Sequence, residues 1–147
     1  MSTYTITACI FQANDTRGCF RIVEKAVWSN ANGGTWDEVN GTHVLTMGGS
    51  GTCGIMRFKN ADTGEDVAIA LGVHNYKRWC DAVTGLSGQT AASIISQYYT
   101  GPDSQGRQKV RESQLQDYSI KSAVGRQYRL HYTVADGNNL KVNIMFS

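Results

Sequence analysis

Apolar and polar residues alternate with period two over much of this 147-residue chain. Tyr4, Ile6, Ala8 and Ile10 alternate with Thr5, Thr7 and Cys9, and Val67, Ile69 and Leu71 alternate with Ala68 and Ala70. Toward the end, Tyr128, Leu130, Tyr132 and Val134 form one such series, and Leu140, Val142, Ile144 and Phe146 form another. Successive side chains of a strand point to opposite faces, so this pattern predicts strands. The last two series flank Asp136-Gly137, a pair suited to the positive φ angles of a tight hairpin turn. Shorter strands are predicted at residues 20–28, 43–47 and 54–59.

The alternation breaks between residues 87 and 117. Ala92, Ile95 and Tyr99 recur at helical spacing, and Thr90 stands where an N-cap is needed. GPDSQG, residues 101–106, reads as a loop, and residues 107–116 as a second short helix with Val110 and Gln114 on one face. Strands, then helix-loop-helix, then strands predict a mainly β protein, an antiparallel β-sandwich with a helical connection. No repeat or linker divides the chain, so residues 1–147 form a single domain.

Composition narrows the function. A formal charge of +2 and a charged fraction of 18% lack the basic footprint of a nucleic-acid binder. No run approaches the ~18 apolar residues of a membrane span. The first eleven residues have neither a basic n-region nor an apolar h-region, so they do not read as a secretory signal. Cys9, Cys19, Cys53 and Cys80 show no CxxC spacing and are expected as thiols of a cytoplasmic protein. The sequons at Asn14 and Asn40 are then expected to be unused.

Catalytic and metal readings find little support. MGGSGTCG, residues 47–54, resembles a phosphate loop but lacks the Lys-Ser/Thr ending and a following helix. His43, His74 and His131 are scattered without metal-ligand spacing, so no metal or cofactor is expected. Ser50, His74 and Asp81 could be drawn as a hydrolytic triad, yet no GxSxG elbow surrounds the serine. The expectation is a non-enzymatic binding protein with no catalytic residue.

Three unusual segments carry more information: ANGGTW at 31–36, LTMGGSGT at 45–52 and GVHNYKRWCD at 72–81. Together, and in this order, they resemble the fungal fruit-body lectin family. The likeness runs from TYTIT at residue 3 to GNNLKVNIMF near the end. It implies an actinoporin-like sandwich, assembly as a homotetramer, and reversible binding of glycans and glycoproteins in defence. It also implies two sugar sites. The first, for N-acetylgalactosamine and the Galβ1-3GalNAc antigen, maps to Ala31, Ser50, Gly51, His74 and Asn75. The second, for N-acetylglucosamine-terminated glycans, maps to Asp81, Ala82, Thr84, Arg107 and Tyr118.

These residue types suit the task. Sugar hydroxyls both donate and accept, so amides, hydroxyls and carboxylates grip them, while apolar C–H faces lie on aromatic planes. Each motif also has a plainer local reading. The glycine run could be a hairpin turn between 43–47 and 54–59, Asn75 an Asx turn, and Asp81 a surface ion pair with Lys77 or Arg78. Trp28, Trp36 and Trp79 read as structural, as large aromatics usually are. Ala82 stands where the family commonly has a larger aliphatic residue, which predicts a weaker or altered second site. Two rivals share the pattern: a storage protein, and a membrane-active pore former of the same architecture. The second needs an amphipathic N-terminal helix, whereas alternation here starts at Tyr4, so no membrane insertion is expected.

Overall fold

The computed structural model describes residues 3–13, 18–101 and 104–147. Among these residues, ten strands form two sheets, and two α-helices lie in one connection. The strands are β1 (Tyr4–Gln12), β2 (Phe20–Val27), β3 (Gly34–Val39), β4 (Thr42–Met47), β5 (Thr52–Asn60), β6 (Asp66–His74), β7 (Lys77–Thr84), β8 (Asp117–Lys121), β9 (Gln127–Val134) and β10 (Asn139–Phe146). The helices are α1 (Ala91–Ile95), which tightens into a 3-10 turn over Ser96–Tyr98, and α2 (Gln105–Ser113). One sheet has the order β3-β4-β1-β10-β9-β8, and the other has β2-β5-β6-β7.

The alternation predicted above sorts side chains into two layers of core. Ile6, Leu45, Leu130, Val142 and Ile144 of the first sheet meet Phe58, Val67, Ile69 and Leu71 of the second. The opposite face of the four-stranded sheet, with Ile55, Ala68, Ala70 and Trp79, receives Ile94, Ile95 and Tyr98 of the helical segment. Strand β6 is therefore buried on both faces. Its small residues, Ala68 and Ala70, leave room for the helix on one side, and its branched residues fill the sandwich on the other.

Four expectations need correction. β1 and β10 are parallel, in register from Thr5↔Asn139 to Gln12↔Phe146, although every other neighbouring pair is antiparallel. They are the first and last strands among the described residues, so no hairpin joins them and imposes an antiparallel arrangement. The glycine run is not a hairpin turn: β4 and β5 lie in different sheets, so residues 48–51 cross between them. In the helical segment, the buried face is Ala91, Ile94, Ile95 and Tyr98, not Ala92, Ile95 and Tyr99. The 3-10 turn advances each residue by more than an α-helix does, which brings Tyr98 inward. Finally, α2 ends at Ser113, and Gln114 is its left-handed C-cap with φ 50°. The N-cap prediction holds: Thr90 accepts from the Ser93 N–H at 3.1 Å and the Ser93 hydroxyl accepts from the Thr90 N–H at 3.0 Å. The sequon at Asn14 lies outside the described residues.

Candidate functional sites

Three connections converge at one end of β5 and β6. Trp28 donates its N–H to the Cys53 carbonyl at 2.9 Å, and the Thr52 hydroxyl donates to the Trp28 carbonyl at 2.6 Å. Past Trp28 the backbone turns through Ala31, Asn32 and Gly33, all left-handed, with φ 51°, 66° and 65°. The crossover 48–51 packs against this turn. A Cβ on Gly48 would stand 2.6 Å from Asn32 Cβ and 2.9 Å from the Ala31 carbonyl oxygen, so only glycine fits. Gly51 has φ 107° and faces the Ala31 methyl group.

The third connection is the β6–β7 hairpin. His74 pairs with Lys77, and the two residues between them, Asn75 and Tyr76, have φ 47° and 66°. This is the primed turn that matches strand twist, with Asn at a position it tolerates well. Ser50 Oγ accepts from the Tyr76 N–H at 2.9 Å, and the Gly51 N–H donates to the Val73 carbonyl at 2.9 Å. So Ala31, Ser50, Gly51, His74 and Asn75 do come together in one patch. Asn75 Nδ2 lies 3.4 Å from His74 Nε2. Burial, with Arg111 adding to it, holds the His74 pKa below its usual value, so at neutral pH the ring offers one donor and one acceptor. Two features escaped the sequence reading. Gln114 donates its side-chain amide to the His74 carbonyl, and Tyr76 stands 77% exposed beside Asn75.

The second group lies at an open edge of the sandwich. β7 is the edge strand of one sheet and β8 of the other, and α2 packs beside β7. Between them is a cavity of about 470 Å³ lined by Asp81, Ala82, Thr84, Arg107 and Tyr118, with Gln97 and Ile120. All five predicted residues therefore share one wall system. Asp81 is not a surface ion-pair partner of Lys77 or Arg78. It is 4% exposed, because residue 81 of β7 faces the helical layer. Its Oδ2 accepts from the Tyr98 hydroxyl at 2.6 Å and its Oδ1 from the Ala82 N–H at 2.9 Å. Burial pushes its pKa up, opposed by those two donors and by Arg107. Burial likewise raises the Tyr118 pKa, with Asp81 contributing. Arg107 Nε donates to Gln97 Oε1 at 2.6 Å, and its guanidinium lies 5.9 Å from the Tyr98 ring centre. Tyr98 and Gln97 are thus the supports the sequence did not reveal. They come from the 3-10 turn, whose phase a regular helical periodicity misplaces.

The drawn triad does not assemble. Ser50 is held by the hairpin, His74 faces Asn75, and the Asp81 oxygens face Tyr98 and Ala82. Among the described residues no three His, Cys, Asp or Glu side chains gather to hold a metal. Trp79 is fully buried. Trp28 stacks on Tyr99 at 5.0 Å, and the Trp36 indole donates to the Ala26 carbonyl. All three indoles are thus engaged structurally.

A two-sheet sandwich that carries one polar surface patch and one polar cavity has the form of a ligand-binding β protein. The comparisons give the family. The chain matches the fungal fruit body lectin family over residues 1–144, and it belongs to that family. It is 54% identical to the Boletus edulis lectin over 147 residues, covering 99% of both chains. Its fold superposes on the crystal structure of wild-type Xerocomus chrysenteron lectin with a TM-score of 0.93, at 54% identity over 99% of this chain and 100% of that one. A methionine-substituted variant of the same lectin gives a TM-score of 0.93 at 55% identity, covering 99% of each chain. The chain is a lectin by family, and the family is one of carbohydrate binders rather than enzymes.

Proposed function

We propose that the chain binds two kinds of glycan at two separate sites. The patch of Ala31, Ser50, Gly51, His74 and Asn75 takes N-acetylgalactosamine and the Galβ1-3GalNAc disaccharide. The cavity of Asp81, Ala82, Thr84, Arg107 and Tyr118 takes N-acetylglucosamine-terminated glycans. The observation that carries this reading is the convergence of each set, from segments distant in sequence, on one place, a surface patch for the first and a cavity for the second. At the first patch the Asn75 amide and the neutral His74 ring supply donors and acceptors side by side for adjacent hydroxyls. At the second, Asp81 keeps acceptor capacity beyond its two internal bonds, and Arg107 is a fixed donor across the cavity.

Hydrogen bonds that replace water are worth only about 1 kcal/mol each, so each site is weak alone. A homotetramer would multiply them, by ~10²–10⁴ in avidity on a glycan-coated surface. That assembly, a cytoplasmic location and a role in defence complete the proposal. Membrane insertion is not part of it: β1 is held between β4 and β10 inside its sheet. Printed glycans test the reading. Two ligand groups are expected, one ending in galactose or N-acetylgalactosamine and one in N-acetylglucosamine. Binding to neither, with dye released from glycan-free vesicles, would favour a pore former instead.

A further inference from the structure

The sandwich has a second open edge, away from the Asp81 cavity, where β2 ends one sheet and β3 the other. A cavity of about 490 Å³ opens there, with an apolar floor of Ile10, Phe20, Ile22 and Phe58. Gln12, also in its wall, is already engaged: its side-chain amide accepts from the Phe20 N–H at 2.9 Å and donates to the Phe20 carbonyl at 3.3 Å. A bulge in β2 turns a cation into this recess. Ile22 stands opposite Phe58 and Glu24 opposite Arg57, so Val23 is an extra residue without a partner in β5. One extra residue reverses the inward–outward phase of the strand beyond it. Lys25 therefore lies opposite the buried Met56, on the inner face. Even alternation from Arg21 would have put it outside.

The Lys25 ammonium nitrogen is 3.1 Å from His43 Nδ1 and 5.8 Å from the centre of the Trp36 ring. Among the described residues it forms no ion pair. Burial, with Lys25 adding to it, lowers the His43 pKa, and Glu38 opposes them. At neutral pH the ring is therefore uncharged and accepts from the ammonium at Nδ1. The other charged groups in the wall are Arg21 and Glu38, both exposed, so two cations face one carboxylate. Lys59, opposite Arg21 in β5, adds positive charge just outside, and β1 brings only Ile10 and Gln12 to the wall. A partly buried ammonium is stabilised by an anionic partner, and here its hydrogen-bond partner is a neutral ring. Two donors side by side match one carboxylate. Glu38 disfavours a dianion, and the apolar floor disfavours a small hydrated ion.

We infer that this recess binds a small carboxylate with an apolar body, its charged end held by Lys25 and His43 and its body lying on Ile10 and Ile22. The site is separate from both sugar sites and does not depend on how they are read. On binding, His43 takes one proton from solvent at Nδ1, so that both side chains donate to the carboxylate. Calorimetric titration with acetate, butyrate, hexanoate, benzoate and the neutral hexan-1-ol tests it. Hexanoate is expected to bind at least roughly tenfold tighter than acetate, which lacks the body, or hexan-1-ol, which lacks the charge. Lys25→Met keeps an apolar stem and is expected to weaken hexanoate at least about tenfold, while a cooperative melt reports that the variant is folded. Glu38→Gln removes the opposing charge from an exposed edge strand and is expected to tighten binding roughly twofold. Hexanoate affinity should also rise as pH falls from about 7 to about 6, by no more than about tenfold for one proton, and His43→Gln should abolish that rise. Binding of none of the carboxylates at millimolar concentration, or equal affinity for hexanoate and hexan-1-ol, would overturn the site. Hexanoate affinity unchanged in both charge variants, or a pH response that persists in His43→Gln, would overturn its placement between Lys25 and His43.

Discussion

The surface patch and the cavity are built on opposite principles. The Ser50–Asn75 patch is made by backbone conformation: Ala31, Asn32, Gly51, Asn75 and Tyr76 all have positive φ, and its polar side chains lie at the surface. The Asp81 cavity is made by side chains on regular strands and a helix, around a carboxylate that is almost wholly buried. One site is therefore vulnerable to anything that changes a turn, and the other to anything that changes a charge.

The largest effect is expected at the charge. Asp81→Ala removes an acceptor and leaves the buried Tyr98 hydroxyl without its partner. Bonds to a charged group are worth about 1.5–3 kcal/mol each, so the loss of two should weaken N-acetylglucosamine binding at least ~100-fold. First-site binding should be unchanged, as titration of both sugars would show. Gly48→Ala is the counterpart at the turn. Its Cβ meets Asn32 Cβ at 2.6 Å, and relieving that overlap should cost about 1–3 kcal/mol. Thermal melting should register the cost, with Galβ1-3GalNAc binding reduced and N-acetylglucosamine binding kept.

A pH series sharpens the comparison. The folded pKa of Asp81 is raised by burial, so the native state holds its proton more tightly than the unfolded chain. Its contribution to stability is complete below the ordinary value of 3.8 and is lost as pH rises through the raised value. Binding runs the other way, because only the carboxylate accepts two hydroxyls. Second-site affinity should fall as pH drops toward the raised pKa, and Asp81→Asn should flatten that dependence. Glu65 provides the contrast. Its bond to Arg126, with Tyr128 and Thr63, lowers its pKa to about 2, so its stabilisation is present above 4.5 and is lost as pH falls toward 2. The smallest effect is expected at Ala82→Ile. The added carbons project from a cavity-lining position, and burying one more CH₂ against the sugar, about 0.8 kcal/mol, would tighten the second site roughly fourfold. An unchanged titration affinity would dispose of that idea.

The sandwich was legible because its buried strands alternate cleanly. Ile6 and Ala8, Leu130 and Tyr132, and Val142 and Ile144 each read as one inward face, and each is one. Strands β3, β7 and β8 were not legible. β3 carries Asp37 and Glu38 on an exposed edge, and β8 is a short exposed edge strand. β7 hides Asp81 in a buried position where an ion is not expected. The grouping of the residues named by resemblance was legible, one set around the β6–β7 hairpin and one in the Asp81 cavity. Their supports were not, because Gln114, Gln97 and Tyr98 act from a cap and a 3-10 turn that periodicity does not register.

The most direct test is a crossed titration. Wild type, Asn75→Ala and Asp81→Ala would each be titrated with Galβ1-3GalNAc and with N-acetylglucosamine. Two independent sites predict that wild type binds both, that Asn75→Ala loses only the first sugar, and that Asp81→Ala loses only the second. Loss of both sugars in either folded variant, or of neither in both, would contradict the division of labour between turn and charge.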